Sequence, residues 1–176
     1  MRGFTLIELM ISIVILAILS ASGVNIFYRA IRGTSQLELR KTIDDKSRLV
    51  LSSVSRFVRE GKVVSLNGSN KESCLPSGSV TGNILIIRAL DDITSTITVS
   101  GGTISSASAS GTIVLNPDSN FTLTQADATP IFTWYCSGGV VDRMLFNFRA
   151  NSISSEGEPT ATKDYSVDMI LRNTGQ

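Results

Sequence analysis

The sequence predicts an α+β protein: one long N-terminal α-helix, membrane-spanning in its first half and amphipathic in its second, packed on a small antiparallel β-sheet head. Three observations predict it. From Phe4 to Tyr28 only Thr5, Glu8, Ser12, Ser20, Ser22 and Asn25 lie outside the apolar set and glycine, a run of membrane length. Past Arg32 the apolar residues fall on one helical stripe. From Val63 onward the chain breaks into short segments rich in β-branched and aromatic residues, the texture of strands.

The helix is expected from about Phe4 to about Glu60. Its first half is apolar on all sides, as suits a helix in lipid or in a bundle of its own kind. In its second half Leu39, Ile43, Val50, Val54 and Phe57 follow spacings of 4, 7, 4 and 3 and so share a stripe. At 1.5 Å per residue such a helix extends about 85 Å, against a hydrocarbon core of about 30 Å, so its second half must leave the membrane. Gly23 and Gly33 each cost about 1 kcal/mol relative to alanine and are the expected sites of a kink or local melting. Gly61 suits the C-terminal cap.

Strands are expected at 83–90 (NILIIRAL), 93–100 (ITSTITVS), 112–116 (TIVLN), 131–136 (IFTWYC), 140–149 (VVDRMLFNFR) and 165–172 (YSVDMILR). The pairs Gly101-Gly102 and Gly138-Gly139 permit the positive φ of tight hairpins, which implies an antiparallel meander. The stretch from Thr94 to Thr112 is crowded with Ser, Thr, Ala and Gly. It is expected to form a solvent-facing edge hairpin or mobile loop outside the core, and 152–163 a second surface loop.

Charge divides along the chain. From Arg29 to Lys62 there are nine basic and four acidic residues, a net +5, and beyond Lys62 six basic and ten acidic, a net −4. A basic stalk and an acidic head can favour contacts between copies; a solvated helix face is the plainer reading. The head's acidity also argues against a phosphate-binding surface there.

The chain has two cysteines, Cys74 and Cys136, and no histidine. If the head is exported, the two cysteines most simply pair, whereas a reducing compartment would leave them buried and reduced. A bridge would close a loop of about 62 residues, for which the chain-entropy treatment gives about 4 kcal/mol. Without histidine, Ser-His-Asp and Cys-His catalysis and His-based zinc sites are excluded. A Gly-rich phosphate loop, Cys-x-x-Cys and Ser-x-x-Lys are also absent. Asp44-Asp45, Asp91-Asp92 and the oxygen-rich run from Asn116 to Asn120 read as helix surface and turns rather than as a calcium loop. No enzyme, cofactor or metal is expected.

The informative residues are at the N-terminus. A secretory signal peptide places its cleavage site after the apolar region. Here Met1-Arg2-Gly3 precedes Phe4-Thr5-Leu6-Ile7-Glu8-Leu9, and Glu8 inside the apolar run would cost about 2.5 to 3.5 kcal/mol at mid-membrane. The contiguous string Gly3-Phe4-Thr5-Leu6-Ile7-Glu8 resembles the processing site of the type IV prepilin family, which includes the pseudopilins of type II secretion and the competence pilins. The resemblance implies cleavage between Gly3 and Phe4 by a membrane-embedded prepilin peptidase that requires Gly3, N-methylation of Phe4, and control of methylation and assembly by Glu8. It implies a leader at 1–3, a transmembrane and filament-core half-helix at 4–30, an amphipathic half at 31–62 and an exported β-rich head at 63–176. The implied partners are like pilin subunits, the peptidase, an inner-membrane assembly platform and, before assembly, membrane lipid. The place implied is the cytoplasmic membrane with the head outside, then a periplasmic or extracellular filament.

The chemistry fits that role. Cleavage would leave an ammonium on Phe4 one helical turn from the Glu8 carboxylate, and each is costly alone in an apolar medium. In a bundle of staggered parallel helices the amine of one subunit can meet Glu8 of its neighbour, pairing both and setting axial register. More loosely, Asp45 to Leu51, Ser55 to Gly61, Thr133 to Cys136, Arg143 and 165–172 are similar to minor pilins of the W and J type. Arg29 and Arg32 run against a short-range positive-inside count, but long domains translocate largely regardless of flanking charge. The alternatives are a soluble secreted β-rich protein cut near Ser20-Ala21-Ser22-Gly23, or a major pilin, adhesin or DNA-uptake subunit.

Overall fold

The computed structural model describes residues 5–136, 138, 141–152 and 161–171, with backbone alone at 31, 32, 35 and 36. The chain forms two compact units, residues 1–38 and 39–176. Helix α1 runs from Leu6 to Glu60. Its helical assignment is unbroken through Gly23 and Gly33, so neither glycine melts the helix.

In the first unit every described residue of the helix is exposed. From Leu6 to Tyr28 its large apolar side chains are all more than half exposed, and Leu6–Ala30 is long and apolar enough to cross a membrane.

In the second unit the last third of α1 is buried on one face. Ile43, Ser47, Val50, Val54 and Val58 are covered, with Leu39 and Phe57 half-buried at the margins. The sequence stripe had the face but not its centre, because Ser47 and Val58 fill the same line at helical spacing.

The head is β1 (Lys62–Leu66), α2 (Lys71–Cys74), β2 (Ser79–Gly82), β3 (Ile84–Arg88), β4 (Thr94–Ser100), β5 (Thr103–Ser108), β6 (Gly111–Val114), β7 (Phe121–Thr124), β8 (Phe132–Tyr135), β9 (Arg143–Ser152) and β10 (Ala161–Ile170). These strands make two sheets rather than one meander. The first has the order β1-β3-β4-β5-β6, the second β10-β9-β8-β2 with β7 also on β9, and all pairings are antiparallel.

The expectation that 94–112 stays outside the core is overturned. It supplies β4 and β5, which are interior strands of the first sheet, and Ile97, Val99 and Ile104 are buried. With a period of two, a few β-branched residues on one face are enough to join a core while Ser and Thr take the other. The hairpin itself is as expected: Ser100 pairs with Thr103 across Gly101 and Gly102, whose φ values are 57° and 81°, the left-handed pair of a two-residue turn. The expected loop at 152–163 gives way at both ends, since Ser152 closes β9 and 161–163 open β10. Gly139 lies outside the described residues, as does Arg172 of the expected last strand.

One core serves all layers. Leu85, Ile87, Ile97 and Ile104 come from the first sheet and Trp134, Phe132, Met144, Phe146 and Phe148 from the second, against Ile43, Val50, Val54 and Val58 of α1. Phe132 stacks on Phe146 at 4.8 Å and Phe148 on Tyr165 at 5.3 Å, within the favoured range for aromatic pairs.

Candidate assembly site on the N-terminal helix

Gly3 and Phe4, the expected cleavage residues, lie outside the described residues. Thr5 and Glu8 lie within them and are tied to each other. Thr5 precedes the first helical residue; its backbone N–H and its hydroxyl each donate to Glu8 Oε2 at 3.0 Å, and the Glu8 N–H donates back to Thr5 Oγ1 at 3.4 Å. This reciprocal pattern is a capping box, which satisfies donors that a helix start otherwise leaves open. Thr5 is a capping residue to which the sequence reading gave no role, and the Thr-x-x-Glu spacing ahead of an apolar run was the signal for it.

The carboxylate of Glu8 is therefore hydrogen-bonded, but by groups that carry no charge. Its negative charge has no cation among the described residues. Two of the serines of the span are treated differently. Ser12 Oγ donates to the Glu8 carbonyl at 2.8 Å and Ser22 Oγ to the Ile18 carbonyl at 2.9 Å, so these hydroxyls are returned to the helix's own backbone and pose little cost in lipid. Glu8 is left as the group with a charge to neutralise.

Cys74, at the end of α2, and Cys136, just past β8, form a disulfide with a Cα–Cα distance of 5.9 Å, inside the usual span for such bridges. Both are buried. Four of the other candidate groups are spent on structure. Asn116 accepts from the Ile104 N–H at 2.7 Å and donates to the Gly102 and Phe121 carbonyls, while Asp118 accepts from Lys46 and from the Asn120 N–H. Those two contacts, Lys46 first, hold the Asp118 carboxyl below its ordinary value. Asp44 is taken by Lys163 and Tyr165, and Asp91 Oδ1 by the Ile93 N–H in a turn. Among the described residues no cluster of His, Cys, Asp and Glu is placed to hold a metal.

Residues 1–24 match the family described as the prokaryotic N-terminal methylation motif. The chain thus carries the N-terminal signal of type IV pilins and pseudopilins, continuous with an apolar helix and followed by an antiparallel β head. No curated protein and no solved structure matches the chain.

Proposed function

We propose that this protein is a structural subunit of a type IV pilus or pseudopilus, cut between Gly3 and Phe4 by prepilin peptidase, N-methylated on Phe4 and built into a filament through α1. The observation that carries this reading is the match to the methylation motif over residues 1–24, set directly on a 25-residue apolar span. Two structural facts support it. The apolar surface of that span is uncovered in the single chain, so it needs lipid first and neighbouring helices afterwards. Glu8 has no cation to pair with among the described residues, and the new ammonium of a neighbouring Phe4 would supply one.

Before assembly the chain sits in the membrane by its span, with the head on the outer side. No chemistry is assigned to the chain; it is the peptidase's substrate. The W/J-like features of 45–61 imply a minor subunit, and the chain's share of the protein in purified filaments measures that place.

Mass spectrometry of the native product tests the cleavage. A methylated Phe4 at the N-terminus is the expected result; retention of residues 1–3 refutes processing, and a start near Gly23 makes the protein a secreted one. Glu8→Ala is expected to insert into the membrane normally and to be incorporated at least tenfold less into filaments, measured in sheared and membrane fractions. Normal incorporation removes the charge-pairing mechanism.

A further inference from the structure

Charge is absent from the span and abrupt at its two ends. No Asp, Glu, Lys or Arg stands between Glu8 and Arg29. At 1.5 Å per residue those two residues lie about 31 Å apart along α1, and the hydrocarbon core of a bilayer is about 30 Å thick. An apolar stretch that fits the core so closely puts its two flanking charges at the two headgroup layers, where ionised side chains are hydrated.

The charge at the inner end, Glu8, accepts from Thr5. The charge at the outer end has no counterpart on its own helix. Arg29 is exposed and makes no ion pair among the described residues. Pairing along a helix needs a carboxylate three or four residues away. None occurs from Leu9 to Leu37, and the first beyond that stretch is Glu38. Arg32 follows Arg29 at the spacing that returns to the same side of a helix, and so adds a second positive charge at this level. Just inside stand Phe27 and Tyr28, 69% and 53% exposed, the latter of the amphipathic kind that settles where hydrocarbon meets headgroup. Span length, ring position and charge therefore mark one level of the bilayer. The anions present at that level are phospholipid phosphates, which a guanidinium binds through two parallel N–H donors.

We infer that Arg29 and Arg32 bind the phosphates of outer-leaflet phospholipids before assembly, and that this contact sets the depth of α1 so that Glu8 lies at the inner headgroup layer. The inference rests on the membrane-anchored stage of the subunit reading above. It gives the two arginines, which a short-range charge count would keep inside, a partner on the outer side. It also leaves the Glu8 carboxylate hydrated while the chain is in the membrane, so that its charge becomes costly only when the helix is drawn into an apolar bundle.

The test uses the full-length chain, carrying carbon-13 in its arginine guanidinium groups, in vesicles of phosphatidylethanolamine and phosphatidylglycerol in phosphate-free buffer. Dephasing of the guanidinium carbon by phosphorus-31 in solid-state NMR reports contact with lipid phosphate. Dephasing is expected in the native chain, with a loss in Arg29→Gln with Arg32→Gln and no loss in Arg40→Gln. A nitroxide on Met10→Cys reads the depth, since Met10 is exposed and the two native cysteines are bridged to each other. The label should lie about 3 Å, two residues' rise, inside the headgroup layer nearest Glu8. Arg29→Gln with Arg32→Gln should move it toward water, because the uncharged outer end can sink into the bilayer. Formation of the Cys74–Cys136 bridge in each variant reports a folded head, and resistance to alkaline extraction reports an inserted span. If the inserted chain shows no dephasing beyond that of the double variant, or Arg40→Gln loses as much, the phosphate contact is wrong and the subunit reading stands. A label at mid-bilayer, or one that the double variant does not move, overturns the register in the same way. If the folded chain does not insert at all, both readings fall.

Discussion

At the scale of single residues, the end of α1 shows a glycine chosen for space. Gly61 N–H still closes the helix by donating to the Phe57 carbonyl at 3.0 Å, and its φ lies outside the left-handed range of the cap expected from sequence. What it lacks is room: a Cβ there would lie 2.2 Å from Ile87 Cγ2, 3.0 Å from the Phe57 carbonyl oxygen and 3.1 Å from that of Arg88. Two of those neighbours are backbone and cannot turn away. Gly61→Ala is therefore expected to destabilise the head by about 1 to 3 kcal/mol, the usual cost of overpacking, read as a shift of the denaturant midpoint at unchanged slope. The same contrast runs through the N-terminal site. Glu8 stood out in the sequence because a lone carboxylate in an apolar run is costly, whereas Thr5, an ordinary hydroxyl, becomes significant only through its spacing to Glu8.

At the scale of elements, α1 is fastened to β10 by polar contacts at the edge of the core. Asp44 Oδ1 accepts from Lys163 Nζ at 2.7 Å and from the Tyr165 hydroxyl. These two donors, Lys163 first, hold the Asp44 carboxyl below its ordinary value. A carboxylate depressed in the folded state stabilises the fold above its unfolded pKa, near 4, and that contribution is lost as the pH falls through the lower folded value. The head is thus expected to lose stability from about pH 4 downward, with Asp118 and Asp164 shifted in the same sense. Asp44→Asn should give a shallower acid limb with little change in its course near pH 7, followed by tryptophan fluorescence of buried Trp134. A variant limb as steep as the wild type would show that this carboxylate does not link helix to strand in solution.

Elements were legible in the sequence where a single chain segment decides them. The apolar span, the amphipathic stripe and the Gly101-Gly102 hairpin depend on local spacing, and each stands where the residues put it. Strands β1, β2 and β7 were not foreseen, and β5 only as an arm of the Gly101-Gly102 hairpin. Their sequences, KVVSL, SVTG, TISSAS and FTLT, are short and half polar, and what makes them strands is the partner each finds, β3, β8, β4 and β9. Such pairings are long-range and leave little local trace. The division into two sheets has the same origin: β2 crosses to β8 while β3 stays with β1, a choice fixed by the shared core and invisible in any one window.

At the scale of the whole molecule, the disulfide holds together what the sheets divide. Its 62-residue separation encloses β2 to β8, which includes four of the five strands of the first sheet and three of the five of the second, β2, β7 and β8. It acts chiefly on the unfolded chain, where closing a loop of that length removes conformational freedom worth about 4 kcal/mol in the chain-entropy treatment. The folded head has less need of it, because Cys74 and Cys136 sit in a continuous apolar core fed by α1 and both sheets. Replacing both cysteines by alanine is therefore expected to lower the stability of the head by about 2 to 5 kcal/mol while leaving its far-ultraviolet circular dichroism unchanged at neutral pH. Since both sulfurs are buried, reductant should cleave the native bridge only as fast as the head opens, and at once in denaturant. Rapid reduction of the folded protein, or loss of the β signal in the double variant, would mean that the bridge and not the core sustains the two-sheet head.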